Sequence, residues 1–159
     1  MREQKLLTIV ITRRYVAAAY FVGTRLEHVA VRRVEAGTVR GQASVRRFVS
    51  WLVGSLSVEC VAIAPHNNRG EGLMALWNAA KEILTAASIP IEIIDPAKML
   101  RECAETPFPT VAKFRKAIAS FWPVLTGDSS TTLGLHAAGL GIYVQTRRYV
   151  DFIINSLDS

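Results

Sequence analysis

What this chain has little of narrows it first. Its 159 residues include two cysteines, Cys60 and Cys103, too few and too far apart for a disulfide framework, so both are expected as reduced thiols. The three histidines, His28, His66 and His136, are equally scattered, and nothing has zinc-ligand spacing. No apolar run approaches the length that crosses a bilayer. The opening MREQKLLTIVI breaks at Thr12 to Arg14 without a small-residue cleavage site, so a cytoplasmic compartment and no membrane partner are expected. Carboxylates are scarce too, with 13 Asp and Glu against 19 Lys and Arg and a net charge of +6. The scarcity is sharpest in TIVITRRYVAAAYFVG, Thr8 to Gly23, where one strand ends at Arg13 and Arg14 and a second begins. The nearest acids are Glu3 and Glu27.

What is present describes a globular chain. Half of the residues are apolar and a fifth are charged, which is neither disordered nor fibrous, and the length suits one domain over residues 1–159. Fourteen of the basic residues are arginine. The planar guanidinium fork matches phosphate, so the excess leans toward an anionic polymer as partner, although an Arg-rich genome would raise the count without any such role.

Leu6 to Ile11 is nearly continuous apolar sequence with β-branched residues, as in a central strand buried on both faces. Tyr15 to Val22 and Leu26 to Arg33 follow after short breaks and predict a three-stranded antiparallel meander. EAGTVRGQAS, Glu35 to Ser44, reads as a linker, with Ser44 capping a helix to about Leu56 whose apolar face carries Val45, Phe48, Val49, Leu52 and Val53. Cys60 to Ala64 is a fourth strand stopped by Pro65. The loop HNNRGEG leads into a helix from about Glu71 to Ala87, and Ile91 to Ile94 is a fifth strand, an order that implies a right-handed parallel crossover. Thr110 can cap a helix of about Val111 to Phe121, apolar on one side and basic at Lys113, Arg115 and Lys116. A last helix begins near Ser130 behind Asp128 or Ser129. Its Gly134, Gly139 and Gly141 each cost about 1 kcal/mol relative to Ala, which predicts a close approach to another backbone.

This order of elements resembles the ribonuclease H-like fold and, within it, the Holliday-junction resolvase (RuvC) family, small domains with a basic helix before a Gly- and Ala-rich closing helix. Val58 to Ile118 resembles that family's middle section in layout, and LHAAGLGIYVQ resembles its closing-helix pattern. The resemblance spans most of the chain and implies an α/β fold, a mixed five-stranded sheet with an antiparallel meander and then parallel strands, flanked by helices. It also implies a site in which acids at the end of the first strand, after the fourth strand and at the start of the closing helix hold two divalent metals. Carboxylates are needed there because Mg²⁺ takes hard oxygen ligands. Carried onto this chain, those positions fall on Thr12, on Ala64 or Pro65, and on Leu133 and His136. None is acidic, and Arg14 stands where the family has a glycine.

Three readings follow. The leading one is a catalytically degenerate domain that binds nucleic acid, DNA in the first instance with branched DNA as a candidate form, without cutting it and without a cofactor. Arg13, Arg14, Arg69, Lys113, Arg115, Lys116, Arg147 and Arg148 would contact phosphates, and the donor-rich loop of His66, Asn67 and Asn68 phosphate or base edges. The bland readings are an exposed turn for Arg13 and Arg14 and a polar loop for HNNRGEG. The second is a dimeric scaffold of the same fold, with the apolar tail Tyr149 to Leu157 buried in the core or across a two-fold interface. The third is an active Holliday-junction resolvase dependent on Mg²⁺ or Mn²⁺, with a site rebuilt from Asp128, Glu71 and histidines such as His66 and His136. No small-molecule substrate is suggested, and ITRRYVAAAYF lacks the Asp and Gly-rich turn with which actin-like ATPases of this fold class hold phosphate.

Overall fold

The run LLTIVI sits where its composition demands, in the middle of a sheet. The structure, a computed structural model, describes residues 3–23, 25–65, 70–95, 137, 140, 141 and 143–145. Among them β1 (Lys5–Ile11), β2 (Tyr15–Val22), β3 (Arg25–Arg33), α1 (Val39–Ser55), β4 (Cys60–Ile63), α2 (Glu71–Ala86) and β5 (Ile91–Ile93) follow one another. The sheet order is β3-β2-β1-β4-β5. β1 pairs antiparallel with β2 from Lys5↔Val22 to Ile11↔Val16, and parallel with β4 from Leu6↔Cys60 to Ile9↔Ile63. β4 and β5 are also parallel. The mixed sheet expected from the sequence is therefore the one observed, and the long helices between β3 and β5 make the parallel returns possible.

Alternation along the strands sorts side chains into two cores. Leu7, Ile9 and Ile11 of β1 pack with Val45, Phe48, Val49 and Leu52 of α1 and with Leu73, Leu76, Trp77, Ala80 and Leu84 of α2. On the other face Leu6, Ala17, Ala19, Phe21, Cys60 and Ala62 meet Ala137, Leu140 and Val144, which are helical. Each large aliphatic side chain buried in this way stabilises the fold by about 1.5–3 kcal/mol. A bulge in β3 opposite Tyr20 and Phe21 shifts its register, so that Leu26 joins Val29 and Val31 against this second cluster.

Three expectations need correcting. α1 starts at Val39, not after Ser44, because the Thr38 hydroxyl accepts the Gly41 N–H at 2.9 Å and caps it. Gly41 is tolerated in that first turn because a side chain there would run into the Glu35 carbonyl. β4 and β5 each end one residue earlier than their patterns suggest, although Ile94 N–H still donates to the Ile63 carbonyl at 2.8 Å. At Gly141 the close approach is to the Phe21 ring, which a Cβ there would run into. The helix expected at 111–121, Gly134, Gly139, Cys103 and the tail 149–157 lie outside the described residues. No described helix is long and apolar enough to cross a membrane.

Candidate nucleic-acid interface

The end of β1 lies beside the end of β4, since Ile9 is level with Ile63 in the parallel ladder. Thr12 closes the β1–β2 hairpin. Its N–H donates to the Tyr15 carbonyl at 2.8 Å, and its hydroxyl accepts the Tyr15 N–H at 3.1 Å. The same hydroxyl lies 3.4 Å from the Arg14 N–H and the Tyr15 carbonyl. A short side-chain hydroxyl that can substitute for a backbone carbonyl suits such a turn. Thr12 is therefore engaged in the turn itself.

Arg13 and Arg14, at the tip, are exposed. Their backbone is fixed from below, because the Arg14 carbonyl accepts the Val34 N–H at 2.8 Å and the Arg13 carbonyl accepts the Ala36 N–H at 3.0 Å. The β3–α1 connection thus straps the hairpin. The Arg13 guanidinium rests against the start of α2, where a Cβ on Gly70 would stand 2.9 Å from Nη2. Gly70 also takes φ of 86°, a left-handed region that favours glycine. Gly72 in the first turn of α2 packs against the Gly37 backbone, with room for no Cβ. Hairpin, connection and helix start therefore converge at one end of the sheet, where they fix the backbone of Arg13 and Arg14 and set the Arg13 guanidinium beside Gly70.

Of the positions to which the sequence resemblance assigns acids, Ala64 is half-buried and packs with Val10 against the cluster on the closing-helix side. Pro65 follows it with no donor oxygen in its side chain. The described carboxylates at this end, Glu35, Glu71 and Asp95, are exposed, and no group of three or more His, Cys, Asp or Glu converges among the described residues. Among the described residues, a methyl, a ring, an engaged hydroxyl and two cations do not fit a two-metal centre, which needs several carboxylate oxygens at one point. Leu133, His136, Asp128, His66, Asn67, Asn68, Arg69, Lys113, Arg115, Lys116, Arg147 and Arg148 lie outside the described residues.

Sequence reasoning passed over Thr8, the one fully buried polar residue described. Its hydroxyl donates to the Ala137 carbonyl at 2.6 Å and lies 3.4 Å from the Ala19 carbonyl, which ties the closing helical residues to the central strand. Gln145 makes a second tie, to the β2–β3 turn, donating to the Gly23 carbonyl at 2.6 Å. The signal was a single hydroxyl in LLTIVI, since a buried polar group implies a partner. The straps from Val34 and Ala36 carried no such signal, being backbone to backbone.

No protein-family model matches this sequence, and neither does any curated protein. Solved structures do resemble the fold. The Thermus thermophilus RuvC structure superposes with a TM-score of 0.71 at 11% identity, covering 92% of this chain and 96% of that one. T. thermophilus RuvC in complex with Holliday junction substrate gives 0.65 at 14% identity over 88% of this chain and 93% of that one. The fowlpox virus Holliday junction resolvase gives 0.58 at 10% identity over 91% and 99%. The chain has the ribonuclease H-like fold of the RuvC and poxvirus resolvases.

Proposed function

We propose that this chain is a ribonuclease H-like domain that binds branched DNA and does not cut it. The observation that carries the reading is the strapped hairpin tip, where two exposed arginines stand at the strand end that metal-binding acids occupy in the family the sequence resembles. Cations there repel Mg²⁺ and attract phosphate. The shared fold with a RuvC solved on a Holliday junction supports DNA as the partner, and the Arg-dominated net charge of +6 supports a polyanion. On this reading the chain acts as one domain in the cytoplasm, without a metal cofactor, and contacts the DNA backbone at phosphates. Binding is then selective for shape at most.

Charge reversal at the tip tests it. Arg13→Glu with Arg14→Glu should weaken four-way-junction binding by about tenfold or more and lower the slope of log affinity against log salt by roughly two phosphate contacts. Unchanged affinity and slope in a folded variant would remove the tip from the interface and the reading with it.

A further inference from the structure

A second surface beside edge strand β3 has a composition that core packing does not explain. Trp51 of α1 is 48% exposed and falls outside the apolar stripe of Val45, Phe48, Val49 and Leu52. Its indole stands against His28 of β3, with centroids 5.9 Å apart and planes at 64°. That tilted contact fixes the ring, and no ring lies parallel on it among the described residues. Arg40, Ser44, Arg47 and Trp51 recur at helical spacing and share one face of α1. Arg47 donates to the Ser44 hydroxyl at 3.4 Å, and Arg32 of β3 lies over the Phe48 ring with its guanidinium carbon 5.4 Å from the centroid.

None of Arg32, Arg40 and Arg47 forms an ion pair with a described carboxylate, whereas Arg25 and Arg46 do. Arg40 lies in the first turn of α1, which has no acidic residue, so its charge opposes the helix dipole and works against the helix. The nearest acids in sequence, Glu27 and Glu35, are exposed, and Glu27 lies 3.6 Å from Arg25. Val34 and Ala36, which lie in sequence between Arg32 and Arg40, bond to the hairpin tip, and Arg47 and Trp51 share the Arg40 face of α1.

We propose that this face takes single-stranded DNA, with an unpaired base stacked on Trp51 and the flanking phosphates on Arg47 and Arg32. A base within a duplex already has its faces covered, so an open indole selects an unstacked one, while the cations complement the backbone. The proposal rests on the DNA-binding reading above and names a strand form for a surface apart from the hairpin tip.

The test uses the full chain with fluorescent oligo-dT of about twelve nucleotides, the same length of duplex, oligo-U RNA and a four-way junction. Trp51→Ala should weaken oligo-dT binding about tenfold or more, with the salt slope and duplex affinity unchanged, and Trp51→Phe should restore most of it. Arg47→Ala should lower the oligo-dT salt slope by about one. Should Trp51→Ala fail to fold, Trp51→Gln takes its place. Unchanged oligo-dT affinity, or an equal loss on duplex, overturns the platform while junction binding by the native chain leaves the DNA-binding reading standing. Tighter binding of oligo-U than oligo-dT overturns the assignment to DNA, and a dimer abolished by Trp51→Ala overturns it by giving the ring to a second copy. A native chain that binds no DNA overturns both readings together.

Discussion

At the scale of single residues, hydroxyls do structural work on both sides of the hairpin. Thr12 replaces a backbone carbonyl in the turn, and the buried Thr8 hydroxyl donates to the Ala137 carbonyl. Tyr20 is a third case. Its hydroxyl donates to the Ser57 carbonyl at 2.8 Å, and its pKa is raised above the ordinary value, first by burial and then by the negative charges of Glu27 and Glu59. The folded state therefore keeps this proton where the unfolded chain loses it. The associated stability is fully present below the unfolded value of about 10 and is lost as pH rises through the folded one. Melting temperature should fall more steeply with pH above about 10 in the native chain than in Tyr20→Phe, which has no proton to lose; parallel slopes in the two would contradict this.

At the scale of elements, the closing helical residues depend on small side chains. Ala17, Ala19 and Ala62 line the face beneath them, and a Cβ on Gly141 would run into the Phe21 ring. Gly141→Ala should cost about 1–3 kcal/mol through overpacking, despite the better helix propensity of Ala. Thermal melts would show a drop of roughly 2–10 °C. Combined with Phe21→Leu the loss should be smaller than the sum of the two single changes, whereas additive effects would mean that the contact is not the cause. Elements were legible in the sequence where periodicity was strong, as in LLTIVI and in the stripes of α1 and α2. The start of α1 was not, because Gly37 and Gly41 look like breakers unless the Thr38 cap and the packing at Glu35 are known. Arg13 and Arg14 could be read as a turn from their place between two strands. Their attachment to the β3–α1 connection could not, since it uses only backbone atoms distant in sequence. Trp51 drew no expectation from the sequence, because only the fold brings His28 against it and Arg32 over the neighbouring Phe48.

At the scale of the whole molecule, the architecture and the chemistry separate. The sheet order, the parallel return through β4 and the two-sided core are those of a ribonuclease H-like domain, while Thr12, Ala64 and Pro65, to which the sequence resemblance assigns acids, carry no carboxylate. A fold can outlive one chemistry because its core and its site are different sets of residues. On the proposed reading the arginine excess is the functional feature, acting through a field that salt weakens. The most direct test incubates the purified chain with a labelled four-way junction and Mg²⁺, titrates binding at low and near-physiological salt, and runs the strands on a denaturing gel. Tight binding that falls steeply with salt and leaves every strand intact is the predicted result; Mg²⁺-dependent cleavage, or no binding at low salt, would contradict it.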